Sequence, residues 1–148
     1  GNGAIGCTEA TLREVEESAI PMTADILLVD DNAIQAATRK AILNRDGRNV
    51  AVASDGEQAL QMLEEIGTDC PVSLVMTDHL MPGMNGPEFV TRLREQYPQM
   101  PVMVLSGLPD AEEQYTDLDV IFRVKPLPPE EMLDLVGELM ARRVKRTA

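Results

Sequence analysis

From Ala24 onward, strand-length apolar runs alternate with stretches of helical periodicity, and no other property of the chain restricts its architecture as much. The runs are ILLV (26–29), NVAVA (49–53), VSLVMT (72–77), PVMVLS (101–106) and VIFRV (120–124). Between and after them, residues recur at the spacing of one helix face: Ile34, Thr38, Ala41 and Ile42; Ala59, Leu60, Leu63 and Ile66; Phe89, Val90, Leu93 and Tyr97; Met132, Leu135, Val136 and Leu139. This order predicts a parallel sheet with helices on both faces, plus a short helix around 110–117. The runs at 26–29, 72–77 and 101–106 are almost wholly apolar, as central strands covered on both sides require. The run at 49–53 alternates Val with Ala and that at 120–124 carries Arg123, which suits the sheet edges.

The expected fold class is therefore α/β, a flavodoxin-like doubly wound five-stranded sheet of order 2-1-3-4-5. A chain of 148 residues fills one such core. Residues 1–23 stand apart: TEATLREVEESAI suits an acidic helix with Leu12, Val15 and Ala19 on one stripe, ended by Pro21, and reads as a linker or a remnant of a preceding domain. The net charge of −12 disfavours a nucleic-acid backbone as partner, because such binding rests on Lys and Arg neutralising phosphates. It fits a cation site or a basic protein. The basic cluster RRVKR (142–146) reads as favourable charge at a helix C-terminus. Cys7 and Cys70 have neither framework nor metal-ligand spacing, and no apolar run of about 18 residues or leader pattern is present. A cytoplasmic, reducing setting without membrane contact by the domain is expected, with the possibility of a membrane-attached parent chain left open.

In a sheet of this order, ligands sit outside the carboxyl ends of the strands near the switch point between the first and third. The polar residues that fall there are Asp30 and Asp31 after the first strand, Asp78 after the third, Ser106 ending the fourth and Lys125 after the fifth. Three converging carboxylates repel one another unless a cation neutralises them. A few hard oxygen donors completed by water suit Mg²⁺ better than Ca²⁺, for which no loop supplies the larger cage. Beside a metal, a carboxylate can attack phosphorus, and Asp78, alone on its strand, is the candidate nucleophile. Ser106 offers a hydroxyl and Lys125 a fixed positive charge. Taken singly, each has a plainer reading: Asp31 or Asn32 as a helix cap, Ser106 as a turn residue, Lys125 as a solvated charge. Scattered caps do not predict all of them at one edge. Pro126 stiffens the backbone beside Lys125.

The segments LLVDDN, MTDHLMPGMNG, VLSG and VKPL, in this order and spacing, closely resemble the receiver domain of two-component response regulators. The resemblance spans about residues 24–143, leaving 144–148 as a tail. It implies that Asp78 takes a phosphoryl group from a histidine kinase or histidine phosphotransfer protein, and that Asp30, Asp31, Asp78 and the main-chain carbonyl of Leu80 bind Mg²⁺. It also implies that Ser106 is the hydroxyl switch residue, Lys125 the phosphate-contacting lysine and Phe122 the aromatic that turns inward on activation, although plain packing accounts for Phe122 equally well. Such a domain is a phosphoacceptor that assists its own phosphorylation and slow dephosphorylation rather than a conventional enzyme. It does not itself bind nucleic acid. The oligomeric state stays open, a phosphorylation-dependent dimer being one form.

Three features depart from the common pattern. The segment GLPDAEEQYTDLD is short and poorly periodic, so the helix between the fourth and fifth strands is expected to be short or irregular. Leu80 and Leu108 are apolar where many receivers carry polar groups that influence water attack, which predicts slow loss of the phosphoryl group. His79, the only histidine, follows Asp78 but points to the opposite face of the strand, which argues for a partly buried polar residue rather than a catalytic one. The acidic start and the short fourth-helix region are similar to receivers at the C-terminus of hybrid histidine kinases; a free-standing regulator is the alternative. A receiver-like binding module without phosphate chemistry is the competing function. A haloacid-dehalogenase-like phosphatase would need a second Asp where Leu80 stands, and a flavin carrier would need a phosphate cradle where the acidic DDNA lies.

Overall fold

The computed structural model describes residues 24–66 and 72–147. Its sheet consists of β1 (Ile26–Val29), β2 (Val50–Ala53), β3 (Leu74–Asp78), β4 (Val102–Ser106) and β5 (Ile121–Val124). All neighbours are parallel and the order is β2-β1-β3-β4-β5, as the apolar runs predict. The helices are α1 (Ala33–Arg45), α2 (Gly56–Ile66), α3 (Gly86–Gln96) and α4 (Pro129–Thr147), with a 3-10 segment, η1 (Pro109–Tyr115), between β4 and β5. The expected acidic helix before Pro21, Cys7 and Cys70 lie outside the described residues, as do the RRVKR side chains beyond Arg142, which itself pairs with Glu138 at 3.6 Å. No helix among the described residues is long and apolar enough to cross a membrane.

Successive strand residues face opposite ways, so each central strand feeds two cores. Leu27, Val29, Val75, Val102 and Val104 pack with Ala59, Leu63, Phe89 and Leu93 of α2 and α3. Ile26, Leu28, Leu74, Met76, Met103 and Leu105 pack with Ala36 and Leu43 of α1 and Met132, Val136 and Leu139 of α4. β1, β3 and β4 are buried throughout, whereas β5 is buried only at Phe122.

One helix differs from expectation. The buried stripe of α1 is Ala36 and Leu43, with Gln35, Arg39 and Ile42 half-buried, and not the row through Ile34, Thr38 and Ala41. Ile34 is 79% exposed. The helix starts at the cap Asn32, whose side chain accepts from the Gln35 N–H at 2.9 Å, and this entry angle turns Ala36 rather than Ile34 toward the sheet. The segment between β4 and β5 is short and irregular as expected: only Ala111 and Tyr115 of η1 are buried, and Asp117 and Asp119 take left-handed backbone angles just after it. Arg94 of α3 anchors the entry to β5, donating to the carbonyls of Leu118 and Asp119 at 2.8 Å each.

Candidate functional site

The parallel register brings the carboxyl ends of β1, β3, β4 and β5 to one edge, and every polar residue expected there arrives. Asp30 follows Val29, Asp78 ends β3 and Asp31 opens the turn into α1. Carboxylate oxygens of the three lie within 4.8 Å of one another. The side chain of Asp30 is fully buried and that of Asp78 is 5% exposed, while Asp31 faces solvent. Because Asn32 is the cap of α1, Asp31 is left free of capping duty.

Two cations reach into this cluster. Lys125 Nζ lies 3.1 Å from Asp78 Oδ1 and donates to Gln35 Oε1 at 3.4 Å. Its backbone N–H bonds to the Ser106 carbonyl at 2.7 Å, which fixes it at the end of the β4–β5 pair, and its bond to Pro126 is cis. The second cation, Arg39, was not expected. Its Nη1 donates to Asp30 Oδ2 at 2.9 Å and to Asp78 Oδ1 at 3.4 Å. The Asn32 N–H donates to the other Asp30 oxygen, Oδ1, at 2.8 Å. These donors do not fully offset the crowding: burial, then the neighbouring Asp78 carboxylate, raises Asp30 from 3.8 to about 6, against the lowering by the Asn32 N–H and Arg39.

Around the cluster, the Ser106 hydroxyl accepts from the Leu108 N–H at 2.9 Å and donates to the Leu108 carbonyl at 3.1 Å. Leu80 and Leu108 are both exposed. His79 is buried more completely than expected and has a definite partner: its Nδ1 is 2.6 Å from the Tyr115 hydroxyl, and the rings meet edge to face. Burial lowers the His79 pKa and pushes the Tyr115 phenol well above its ordinary range. Tyr115 also packs on Phe122 at 5.8 Å between centroids, so Phe122 is buried here. Gly86, at the start of α3, lies under this pair; a Cβ there would collide with the Tyr115 hydroxyl and sit 3.0 Å from the His79 carbonyl.

Sequence reasoning missed Arg39 and Tyr115. Arg39 falls on the 36–39–43 spacing of the true inner stripe of α1, a signal masked by the competing apolar row through Ile34. Nothing in the local sequence pairs Tyr115 with His79.

The comparisons agree with this geometry. The family described as the response regulator receiver domain matches residues 26–136. The response regulator MprA of Mycobacterium ulcerans is 32% identical over 124 residues, covering 82% of this chain and 52% of that protein. This chain spans between 24% and 52% of the length of such curated relatives. Among solved structures, the chemotaxis protein CheY4 of Vibrio cholerae superposes with a TM-score of 0.70 at 27% identity, covering 79% of this chain and 98% of that one. The receiver domain of the hybrid histidine kinase CckA gives 0.65 at 30% identity, covering 78% and 97%. With its sheet order, its acidic edge and a family match over most of its length, the chain belongs to the response regulator receiver domain family.

Proposed function

We propose that Asp78 accepts a phosphoryl group from the phosphohistidine of a histidine kinase or phosphotransfer protein. The observation that carries this reading is the placement of Lys125 Nζ 3.1 Å from Asp78 Oδ1, with Asp30 and Asp31 beside it. A free oxygen of Asp78 attacks phosphorus in line, the P–N bond to the donor histidine breaks, and the imidazole departs with its electron pair. Lys125 holds charge against the incoming phosphoryl oxygens, the part of the work that dominates such transfers. The acidic trio fits Mg²⁺: its donors are hard oxygens, and burial together with the neighbouring Asp78 carboxylate raises Asp30 to about 6, a strain that a bound cation would relieve. Asp30, Asp31, Asp78 and the Leu80 carbonyl would hold the ion, which when bound neutralises developing charge on the phosphoryl oxygens.

To meet the phosphoryl group, the Ser106 hydroxyl has to leave Leu108, and Phe122 and Tyr115 repack around the space it vacates. Leu80 and Leu108 place no polar side chain where water would attack, so the phosphorylated form decays slowly. The phosphodonor has to cover Asp78, and the exposed Ile34 beside an open groove lined by Thr38, Ile42, Lys125 and Leu127 offers it apolar surface. We take residues 24–143 as the phosphoacceptor unit, cytoplasmic and acting through protein contact, either as the receiver of a hybrid histidine kinase or as a separate regulator. Incubation with Mg²⁺ and acetyl phosphate, followed by intact mass, tests the reading. The wild type gains one phosphoryl group and Asp78→Asn gains none; an unmodified wild type would instead point to a binding module without phosphate chemistry.

A further inference from the structure

We propose that Arg39 is a resident counter-cation which a divalent ion has to displace, and that it thereby sets the Mg²⁺ concentration at which the site fills. The inference rests on the metal reading above. Asp30 has two oxygens: Oδ1 accepts from the Asn32 N–H at 2.8 Å, and Oδ2 accepts from Arg39 Nη1 at 2.9 Å. Each Asp30 oxygen thus already accepts one hydrogen bond, and a metal that approaches Oδ2 meets the Arg39 guanidinium there. The same Nη1 reaches Asp78 Oδ1 at 3.4 Å, so the guanidinium bridges the two buried carboxylates.

This placement is built into α1. Arg39 lies on the inner stripe between Ala36 and Leu43, its side chain is only 15% exposed, and the helix aims its head at the cluster. A guanidinium and a divalent ion compete for the same lone pairs, and like charges this close repel. Lys125 occupies the Asp78 oxygen from the side of β5 and does not touch Asp30 in this way. A displaced Arg39 has somewhere to go, because the groove lined by Gln35, Thr38 and Ile42 opens beside it. The domain thus has two arrangements, one closed by Arg39 without metal and one opened by it, and phosphoryl uptake follows the second.

The test is a calorimetric titration of Mg²⁺ into chelator-treated wild type, Arg39→Ala and Arg39→Gln, the last retaining most of the packed stem. It is paired with thermal unfolding in EDTA and in excess Mg²⁺, and far-UV circular dichroism checks that each variant is folded. Both variants are expected to bind Mg²⁺ about tenfold more tightly, the effect of one charge-assisted hydrogen bond no longer broken on binding. Their Tm falls below wild type in EDTA and recovers toward it in Mg²⁺. Variants that bind equally or more weakly than a wild type that does bind overturn the inference while leaving the metal reading intact. If none of the three proteins takes up Mg²⁺, the metal reading falls and the inference with it.

Discussion

Gly86, Tyr115 and His79 form a buried contact whose energetics can be worked out before any measurement. Tyr115→Phe removes the hydroxyl that lies 2.6 Å from His79 Nδ1 and leaves a buried ring nitrogen without its partner. An orphaned buried polar group costs about 1–3 kcal/mol. Gly86→Ala places a methyl group against the Tyr115 hydroxyl and 3.0 Å from the backbone oxygen of His79, and overpacking of this kind costs about 1–3 kcal/mol. The methyl group cannot coexist with the hydroxyl where it stands, so Gly86→Ala breaks the same hydrogen bond that Tyr115→Phe deletes. The two costs overlap, and the double variant should be about 1–2 kcal/mol more stable than the sum of the single losses predicts. Urea unfolding followed by far-UV circular dichroism on the four proteins of the cycle measures this directly. Losses that add to within about 0.5 kcal/mol would refute the reasoning, since they would mean that Tyr115 does not reach Gly86 and His79 at once. Phosphoryl uptake at Asp78 should persist in all four, because none of the changes touches Lys125 or the carboxylates.

Other expectations concern the charged edge and the loops around it. Lys125→Met removes the cation 3.1 Å from Asp78 Oδ1 and should slow uptake from acetyl phosphate by about 100-fold or more, read by intact mass over time, while Mg²⁺ binding measured by calorimetry is retained. In EDTA, protonation of Asp30 favours the fold, because its folded value of about 6 exceeds 3.8; this contribution is complete below the lower value and is lost as pH rises through the upper one. Relative to Asp30→Asn, in which the opposing effect of His79 cancels, wild type should therefore gain about 1.4 kcal/mol in urea unfolding on going from about pH 7.5 to about pH 5, and a flat difference would contradict it. Leu80→Asn puts a hydrogen-bonding group at the exposed position two residues after Asp78 and should shorten the phosphoryl lifetime about tenfold, as seen by loss of added mass after donor removal.

The sheet was legible because its evidence is redundant: five apolar runs, three of them continuous, determine the order, and the strand ends then carry Asp30, Asp78, Ser106 and Lys125 to one edge regardless of helix detail. Helix orientation rests on less. The buried stripe of α1 is thin, with Ala36 and Leu43 its only buried side chains, while the larger Ile34 points outward. Hydrophobic periodicity weighted by side-chain size therefore selects the wrong row, and with it puts Arg39 on the solvent side. Arginine on an inner row reads as an error in a pattern of apolar residues, yet a long stem lets its head pass the core and reach a charged edge. His79 was correctly placed on the face opposite Asp78, but its partner lies 36 residues away in a segment without periodicity, and no local signal joins the two.

The same weakness of periodicity between β4 and β5 bears on how a charge placed on Asp78 can be felt elsewhere. β1, β3 and β4 are buried throughout, and α2 and α3 are pinned to them by Ala59 and Leu63 and by Phe89 and Leu93, so this part of the molecule has no cheap alternative packing. By contrast η1 buries only Ala111 and Tyr115, Leu108 before it is exposed, and β5 beyond it is an edge strand buried at Phe122 alone. Both ends of that stretch are held by Arg94 at the carbonyls of Leu118 and Asp119 and by Ser106 at Leu108, and between them the buried Ala111 and the Tyr115 contacts to His79 and Phe122 attach it to the core. If the Ser106 hydroxyl is drawn from Leu108 toward Asp78 as proposed, one of these ties is released at its base, and the cheapest response would be for Tyr115 and Phe122 to move together rather than for Phe122 to move alone. Local stability is low where buried contacts are few, and among the described residues η1, with Ala111 and Tyr115 as its buried side chains, is such a place between the acidic edge and the outer strand.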